Sequence, residues 1–184
     1  SLQFRLYLAK KAFHLTSKYD GIICDWFANN LEKDNTLPQT LSLTFNQKTN
    51  LRYGENPHQQ AAFYEQSKQE NKVGSFELIQ GKELSYNNLN DFDAALELIL
   101  EFSDPSVVII KHANPCGVAS SSNIERAWIK AIKTDPTSAF GGIVAFNKPI
   151  NENLAKHLSN IFLEVLIAPS IEVKAKKILA KKKN

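Results

Sequence analysis

The sequence has 184 residues, of which 43% are hydrophobic and 22% are charged, and its formal net charge is +3. These proportions indicate one ordinary globular domain with a short extra element, and they exclude a disordered or fibrous chain. No apolar run approaches the roughly 20 residues that a membrane-spanning helix needs, so we expect no membrane partner. The first eleven residues lack the apolar region of a signal peptide, and Cys24 and Cys116 give no disulfide framework. A cytoplasmic location is therefore expected.

The positive charge is concentrated at one end of the chain. The whole chain has 22 basic and 19 acidic residues. Residues 174–184 contain six of the lysines and no acidic residue, so the rest of the chain has fewer basic than acidic residues. A nucleic-acid-binding protein would spread its basic residues over a working face. The lysines instead lie at the end of a helical pattern, where cations complement the helix dipole. This favours a solvated helix end, and we expect no nucleic-acid partner.

The first 33 residues form a separate helical segment in our interpretation. Apolar residues at steps of three and four predict helix over 3–32, as one helix or as two that meet near Asp20-Gly21. This segment does not close a core of its own. Residues 34–39 are polar, contain Pro38 and are interpreted as a linker. The main unit is then expected to cover 40–184.

Strands and helices alternate in the predicted main unit. Short extended segments are predicted at 40–45, 61–64 and 76–79, and a helix is expected to follow Asn90 as its N-cap. The β-branched run 107–110 predicts a strand buried on both faces. The later predicted elements are strands at 142–146 and 164–167 and helices at 123–133, 152–161 and 171–182. This alternation predicts a layered α/β/α unit with a mixed, largely parallel sheet.

The stretch Lys-His-Ala-Asn-Pro-Cys-Gly (111–117) is the first candidate site, because it directly follows the buried strand. In open α/β sheets, ligands bind at the carboxyl ends of strands. Lys111 and His112 offer a fixed positive charge and a group that titrates near neutral pH. Pro115 and Gly117 predict a tight turn that leaves nearby backbone amides as donors. The alternative is a helix-capping loop with two incidental polar residues.

Two more specific interpretations of this stretch have less support from the sequence. Cys116 could be a nucleophile with His112 as its base, although such partners are usually distant in sequence. The same two residues could bind zinc, but the deaminase signature needs His-x-Glu and Pro-Cys-x-x-Cys, whereas this chain has His-Ala-Asn and a single Pro-Cys. We therefore expect no metal site.

Two further stretches are candidates for ligand binding. The loop 51–59 places Arg, Tyr, Asn, His and Gln around one Gly and one Pro, and Arg52 could grip a phosphate with its planar guanidinium. A solvated loop is the alternative. The stretch 135–142 ends in two glycines, which allow either close approach of a ligand or a strained entry into the next strand.

Four stretches are more specific together than any one of them alone. They are Leu-Arg-Tyr-Gly-Glu-Asn-Pro-His-Gln (51–59), Gly-Lys-Glu-Leu-Ser-Tyr-Asn-Asn-Leu-Asn-Asp (81–91), Lys-His-Ala-Asn-Pro-Cys-Gly (111–117) and Asp-Pro-Thr-Ser-Ala-Phe-Gly-Gly (135–142). In residues and order they resemble the bifunctional purine biosynthesis proteins, which join an inosinate cyclohydrolase to an aminoimidazole carboxamide ribotide (AICAR) transformylase. The resemblance implies that 1–33 are the last helices of the cyclohydrolase part and that 40–184 begin the transformylase.

The resemblance also implies a fold and a reaction. The family's transformylase consists of two related α/β units similar to the cytidine deaminase fold, without its zinc, and this chain would contain the first. The family moves a formyl group from its co-substrate 10-formyltetrahydrofolate to the 5-amino group of AICAR. In that reaction His112 matches the family's general base, and Lys111 matches the lysine that stabilises the oxyanion or protonates the departing nitrogen.

Substrate-binding positions are implied in the same way. Arg52 and Tyr53 match residues that hold the ribotide, with Arg52 suited to its phosphate. Gly141 matches a ligand-contacting loop position, and Asn114 is a supporting hydrogen-bonding residue. Glu164 stands where the family has an acidic residue near the ribotide.

The chain also departs from the family. Further ligand residues belong to a second transformylase unit, the cyclohydrolase residues lie upstream of Ser1, and the family's sites form across a homodimer interface. We therefore expect the isolated chain to be inactive alone and to lack cyclohydrolase activity. Two other functions remain as hypotheses: a noncatalytic nucleotide-binding module, and a deaminase-like zinc hydrolase.

Overall fold

The chain divides into two units. A computed structural model describes residues 1–31, 43–65 and 76–182. One unit comprises Ser1–Gln47 with Tyr64–Ser67, and the other comprises Lys48–Phe63 with Lys68–Asn184. The predicted linker 34–39 lies outside the described residues, so the boundary between 1–33 and 40–184 stays a prediction.

The first unit is dominated by one long helix, α1 (Leu2–Leu31). The break that we considered near Asp20-Gly21 does not occur. A single glycine inside a helix costs about 1 kcal/mol relative to alanine, and a 30-residue helix tolerates it. The large apolar side chains of α1 are exposed, with Phe13 at 75% and Trp26 at 56%. As expected, this segment closes no core of its own.

The second unit contains a four-stranded sheet and five helices among its described residues. The strands of the chain are β1 (Asn46–Asn50), β2 (Ala62–Glu65), β3 (Ser106–Lys111), β4 (Asn114–Ser120), β5 (Ile143–Phe146) and β6 (Val165–Ile167). The helices after α1 are α2 (Tyr86–Leu100), α3 (Ile124–Thr134), α4 (Pro136–Ala139), α5 (Glu152–Ser159) and α6 (Val173–Leu179). The four-stranded sheet has the order β4-β3-β5-β6, and β1 pairs with β2 separately.

The four-stranded sheet is covered on both faces. On one face, α2 packs through Phe92, Leu96 and Ile99 against alternate residues of β3 and β5. On the other face, α3, α5 and α6 pack against the remaining alternate residues, around Trp128 and Phe146. Every residue from 106 to 110 is buried, as a continuous β-branched strand predicts. The predicted α/β/α layering is confirmed.

The expectation of a largely parallel sheet is wrong. β3 is antiparallel to both β4 and β5, and only the β5–β6 pair is parallel. The reason is β4, a strand that the sequence analysis missed and that returns from β3 through a two-residue turn. The predicted strand at 76–79 is also wrong, because these residues have no regular structure. Of the predicted segment 40–45, residues 40–42 lie outside the described part, and β1 begins only after Phe45.

The start of α2 also differs from the prediction. The N-cap is Ser85 rather than Asn90, because Ser85 and Asn88 form a reciprocal capping box that satisfies the first helical amides. The prediction of a helix capped by Asn123 is confirmed, since its side chain accepts from the Arg126 amide at the start of α3. None of the helices in the described part of the chain combines the length and apolar character that a membrane span requires.

Candidate active site at the β3–β4 hairpin

Lys111 and His112 lie at the tip of a tight hairpin. Lys111 pairs with Asn114, so His112 and Ala113 alone form the connection between β3 and β4. Both have left-handed backbones, with φ of 54° and 57°. Such a turn matches the twist of the strands but favours Asn-Gly, because side chains other than Gly and Asn are strained there. Each of the two residues costs about 1–2 kcal/mol in this conformation.

The strained turn is held by a carboxylate from α2. Asp91 accepts from the amide of Ala113 at 2.7 Å and from the amide of His112 at 3.2 Å. Asn114 adds a third contact, because its side-chain amide donates to the His112 carbonyl at 2.7 Å. We expected these backbone amides to be available as donors to a ligand. That expectation is wrong, since Asp91 already accepts from both.

The tight turn predicted from Pro115 and Gly117 lies before both residues, at His112 and Ala113. Pro115 lies inside β4, an edge strand, where a missing amide donor is tolerated. The pairing register shifts between Ile109 and Ile110, so Cys116 faces no partner of its own. A β-bulge of this kind accommodates one extra residue and bends the strand. Gly117 is buried where a side chain would collide with the Ala131 carbonyl of α3.

The Lys111 side chain is held against the loop before β5. Its ammonium donates to the Phe140 carbonyl at 2.7 Å, directly beside Gly141. Gly141 has a φ of 72°, which a glycine adopts without strain. At Gly142 an added Cβ would approach the Ile110 carbonyl to 3.1 Å, so this glycine permits close packing on the end of β3. The two glycines therefore allow the chain to turn into β5 close to the end of β3, and Gly141 directly follows the carbonyl that accepts from Lys111.

Glu164 is joined to the same region through α2. Its carboxylate accepts from the Asn88 side chain at 2.5 Å, and its backbone amide donates to the Gly142 carbonyl at 3.1 Å. Asn88 is buried, so the contact fixes an otherwise exposed carboxylate at one end of the parallel β5–β6 pair.

Arg52 and Tyr53 lie on a loop attached to the start of α2. The Arg52 amide donates to the Leu84 carbonyl, and the Tyr86 amide donates to the Tyr53 carbonyl, both at 3.1 Å. The Arg52 guanidinium is 4.9 Å from the Tyr53 ring centroid and donates to the Tyr53 hydroxyl at 3.1 Å. Gly54 is buried against Gln59, which closes the loop. Contacts within the loop and with the start of α2 thus fix its backbone and join the Arg52 and Tyr53 side chains.

The first half of α2 therefore contacts the Arg52 loop, the β3–β4 hairpin and Glu164. Asn88 and Asp91 are three residues apart and share a face of α2, while Ser85 caps the same helix. With a rise of about 1.5 Å per residue, the contacts at Tyr86 and Asp91 lie about 7.5 Å apart along the axis. No functional role was predicted for these helix residues from the sequence. The stretch 81–91, which carries all three, was the signal that could have found them.

The alternatives that involve Cys116 receive no support. Burial raises the pKa of its thiol, which disfavours the thiolate that a nucleophile or zinc ligand needs. Its sulfur lies 3.6 Å from the Ile109 carbonyl, as expected for a small packed residue. Within 1–31, 43–65 and 76–182, no group of three or more His, Cys, Asp or Glu side chains could hold a metal ion.

The short helix before Gly141 is fixed by a carboxylate. Asp135 caps α4 by accepting from the hydroxyl and the amide of Ser138, at 2.6 and 2.9 Å. These hydrogen bonds hold the pKa of Asp135 below its ordinary value, and the bond from the hydroxyl has the largest effect. The cap therefore fixes the start of α4, which leads directly to Phe140. The carbonyl of Phe140 is the one that accepts from Lys111.

The second unit is thus a three-layer α/β fold of mixed sheet topology, with a lysine and a histidine adjacent on a hairpin of that sheet. The AICARFT/IMPCHase bienzyme family model matches residues 1–184, and the chain belongs to that family. This confirms the resemblance found in the four sequence motifs.

Three curated relatives illustrate the similarity. The bifunctional purine biosynthesis protein PurH of Listeria monocytogenes serotype 4b is 50% identical over 185 residues. The proteins of the same name from Acetivibrio thermocellus and Lactococcus lactis subsp. cremoris are 50% and 45% identical. Each match covers 100% of this chain and 36% of the relative, so the chain spans about a third of the length of these proteins.

Proposed function

We propose that this chain provides the acid–base pair and part of the ribotide site for formyl transfer from 10-formyltetrahydrofolate to the 5-amino group of AICAR. The observation that carries the proposal is the Lys111-His112 pair on a hairpin tip fixed by α2. Membership of the AICARFT/IMPCHase family supports the reaction class. The proposed reaction uses the folate as a co-substrate and requires no metal.

The chemistry needs a base because the amine is a poor nucleophile. Its lone pair is conjugated with the imidazole carboxamide, so it must lose a proton as it attacks the formyl carbon. In our mechanism the neutral imidazole of His112 accepts that proton. The new C–N bond turns the formyl oxygen into an oxyanion, which the Lys111 ammonium stabilises. Collapse then breaks the bond to the folate nitrogen, which takes a proton from the Lys111-His112 pair and leaves as tetrahydrofolate.

The remaining site residues are proposed to hold the ribotide. A guanidinium has five N–H donors, and Arg52 gives one of them to Tyr53, so four remain for a phosphate. The contact with Tyr53 limits the orientations of the guanidinium before a ligand arrives. Asn114 belongs to the hairpin itself, Gly141 follows the Phe140 carbonyl that accepts from Lys111, and Glu164 accepts from Asn88 of α2. We assign all three supporting contacts to the ribotide.

The partners follow from the same assignment. We propose that the folate is held partly by residues of a second transformylase unit and that the active form is a homodimer in the cytoplasm, as the resemblance implies.

Replacement of His112 tests the proposed reaction. In the full-length gene product that contains these residues, His112→Ala should lower turnover by about 10²–10⁴-fold, the usual scale for loss of a general base. The dissociation constant for AICAR should change little. His157→Ala is the matched control, because His157 is an exposed histidine in the last turn of α5, on the opposite face of the sheet from α2. Unchanged turnover in His112→Ala would refute the proposed role.

A second candidate is a noncatalytic nucleotide-binding module. It is favoured by the Arg52 loop, whose backbone is attached to the start of α2 and not to the hairpin. Calorimetric titration of the 184-residue chain with AICAR, compared between Arg52→Ala and the exposed control Arg126→Ala, tests this function. Binding lost only in Arg52→Ala, together with normal turnover in full-length His112→Ala, would favour the module over the enzyme.

A further inference from the structure

We propose that Asp91 positions the general base of this reaction by holding the backbone of the turn that carries His112. The inference rests on the proposed formyl transfer. Asp91 touches backbone amides rather than the imidazole ring, so it is a positioning residue and not a catalytic one.

The turn needs an external support because its residues do not favour its conformation. Two consecutive residues other than glycine have φ near +55°. In a two-residue hairpin both positions favour Asn, Asp or Gly. His adopts the left-handed region more readily than most residues, but Ala113 has no such tendency and stands where a glycine is favoured. The direction of the His112 side chain is set by this backbone. A relaxed turn would therefore carry the imidazole away from the position that it occupies here.

The Asp91 carboxylate suits this task by its geometry. One oxygen accepts from Ala113 and the other from His112, so both amides of the turn are bound by one side chain. Hydrogen bonds to a carboxylate are stronger than neutral ones. Asp91 lies in the middle of α2, whose buried residues Phe92 and Ala95 fix the helix on the sheet. Asp91 therefore holds the hairpin tip in a fixed position relative to the hydrophobic core on which α2 packs.

The same helix also holds a second residue of the proposed site. Asn88, one turn earlier on the same face, holds Glu164. A shift of the hairpin relative to α2 would move the base with respect to the other proposed ribotide contacts. A misplacement of about 1 Å can cost about 10²-fold in rate, so we expect an effect of this size.

The test compares four variants of the full-length gene product in formyl transfer. Asp91→Ala removes both acceptors, and Asp91→Asn keeps the shape but can accept from only one of the two amides, since its NH2 group would face the other. Asp91→Ala with Ala113→Gly removes the support and also relaxes one strained position. Asp93→Ala is the matched control, since Asp93 is an exposed aspartate of the same helix.

The expected results separate positioning from mere stability. Per folded molecule, measured by circular dichroism and urea midpoint, kcat should fall about 10²-fold in Asp91→Ala and in Asp91→Asn, with AICAR affinity unchanged. Adding Ala113→Gly should restore at least about 10-fold of the loss, because glycine adopts the turn without the carboxylate. Asp93→Ala should behave as wild type. A purely structural role would change the midpoint but not kcat per folded molecule.

His112→Ala, assayed in parallel, keeps the two proposals distinguishable. Normal turnover in His112→Ala would overturn the proposed function. A large loss in His112→Ala, with normal kcat in Asp91→Asn and in the double variant, would overturn the role of Asp91 alone. If Asp91→Ala does not fold, Asp91→Asn and the double variant decide the question by the same criteria.

Discussion

Replacing Ser85 by alanine should weaken the α2 contacts on which the site depends. The Ser85 hydroxyl accepts from the Asn88 amide at 3.3 Å and donates to the Asn88 side chain at 3.0 Å. Loss of an N-cap serine costs about 1 kcal/mol where water can replace it. Ser85 is only 1% exposed, so water cannot do so and the Asn88 amide is left buried without its acceptor. We therefore expect a loss near 2 kcal/mol, about a 30-fold shift of the unfolding equilibrium.

Urea unfolding of the 184-residue chain measures this loss. Trp128 is buried at 4% exposure in the same unit and reports its unfolding, whereas Trp26 is exposed and belongs to the other unit. A Trp26→Phe background therefore isolates the signal. With a urea slope of about 2 kcal/mol per molar, the midpoint should fall by about 1 M.

The matched control is Asn123→Ala, which removes an N-cap of the same kind from α3. Asn123 is exposed and accepts from the Arg126 amide at 2.9 Å, so its loss should cost about 1 kcal/mol or less. If the midpoint shift of Ser85→Ala were equal to that of Asn123→Ala or smaller, the argument from burial would be refuted.

Two further predictions concern the strand after the hairpin and the cap before Gly141. Gly117→Ala should destabilise the unit by about 3 kcal/mol, since its Cβ would meet the Ala131 carbonyl, and a thermal midpoint within a few degrees of wild type would contradict this. Hydrogen bonds from Ser138 hold the pKa of Asp135 below 3.8, so this stabilisation is present above that value and is lost as the pH falls through the folded pKa. Urea midpoints between about pH 6 and pH 2 should therefore decline less steeply in Asp135→Asn, and identical acid-side slopes would count against the assignment.

The parts of the fold that the sequence predicted are those where local pattern and burial agree. The run 107–110 was recognisable because a strand buried on both faces is continuously apolar. The edge strand β4 was missed because Pro115 and Gly117 normally argue against a strand, and only the bulge and the exposed edge permit them. Missing one antiparallel strand was enough to make the sheet look more parallel than it is.

The position of the candidate Lys-His pair was predictable from the sequence, but the contacts that support it were not. Lys111 and His112 are adjacent in sequence and follow a strong strand signal, so their shared location could be read directly. Asp91 lies 21 residues before His112. Its contact with the turn exists only because α2 packs across β3, and no local pattern encodes that packing. The capping box was not recognised in the sequence because Asn88 takes the place of the usual Glu or Gln.

Chemical rescue of His112→Ala by added imidazole tests the central claim most directly. The assay follows formyl transfer by the full-length gene product at a fixed pH near neutrality, with saturating AICAR and 10-formyltetrahydrofolate. If His112 is the general base, the variant's rate should rise in proportion to the concentration of neutral imidazole, while the wild type should not respond. A folded variant that keeps wild-type turnover without imidazole, or a slow one that imidazole does not accelerate, would contradict the assignment of His112 as the base.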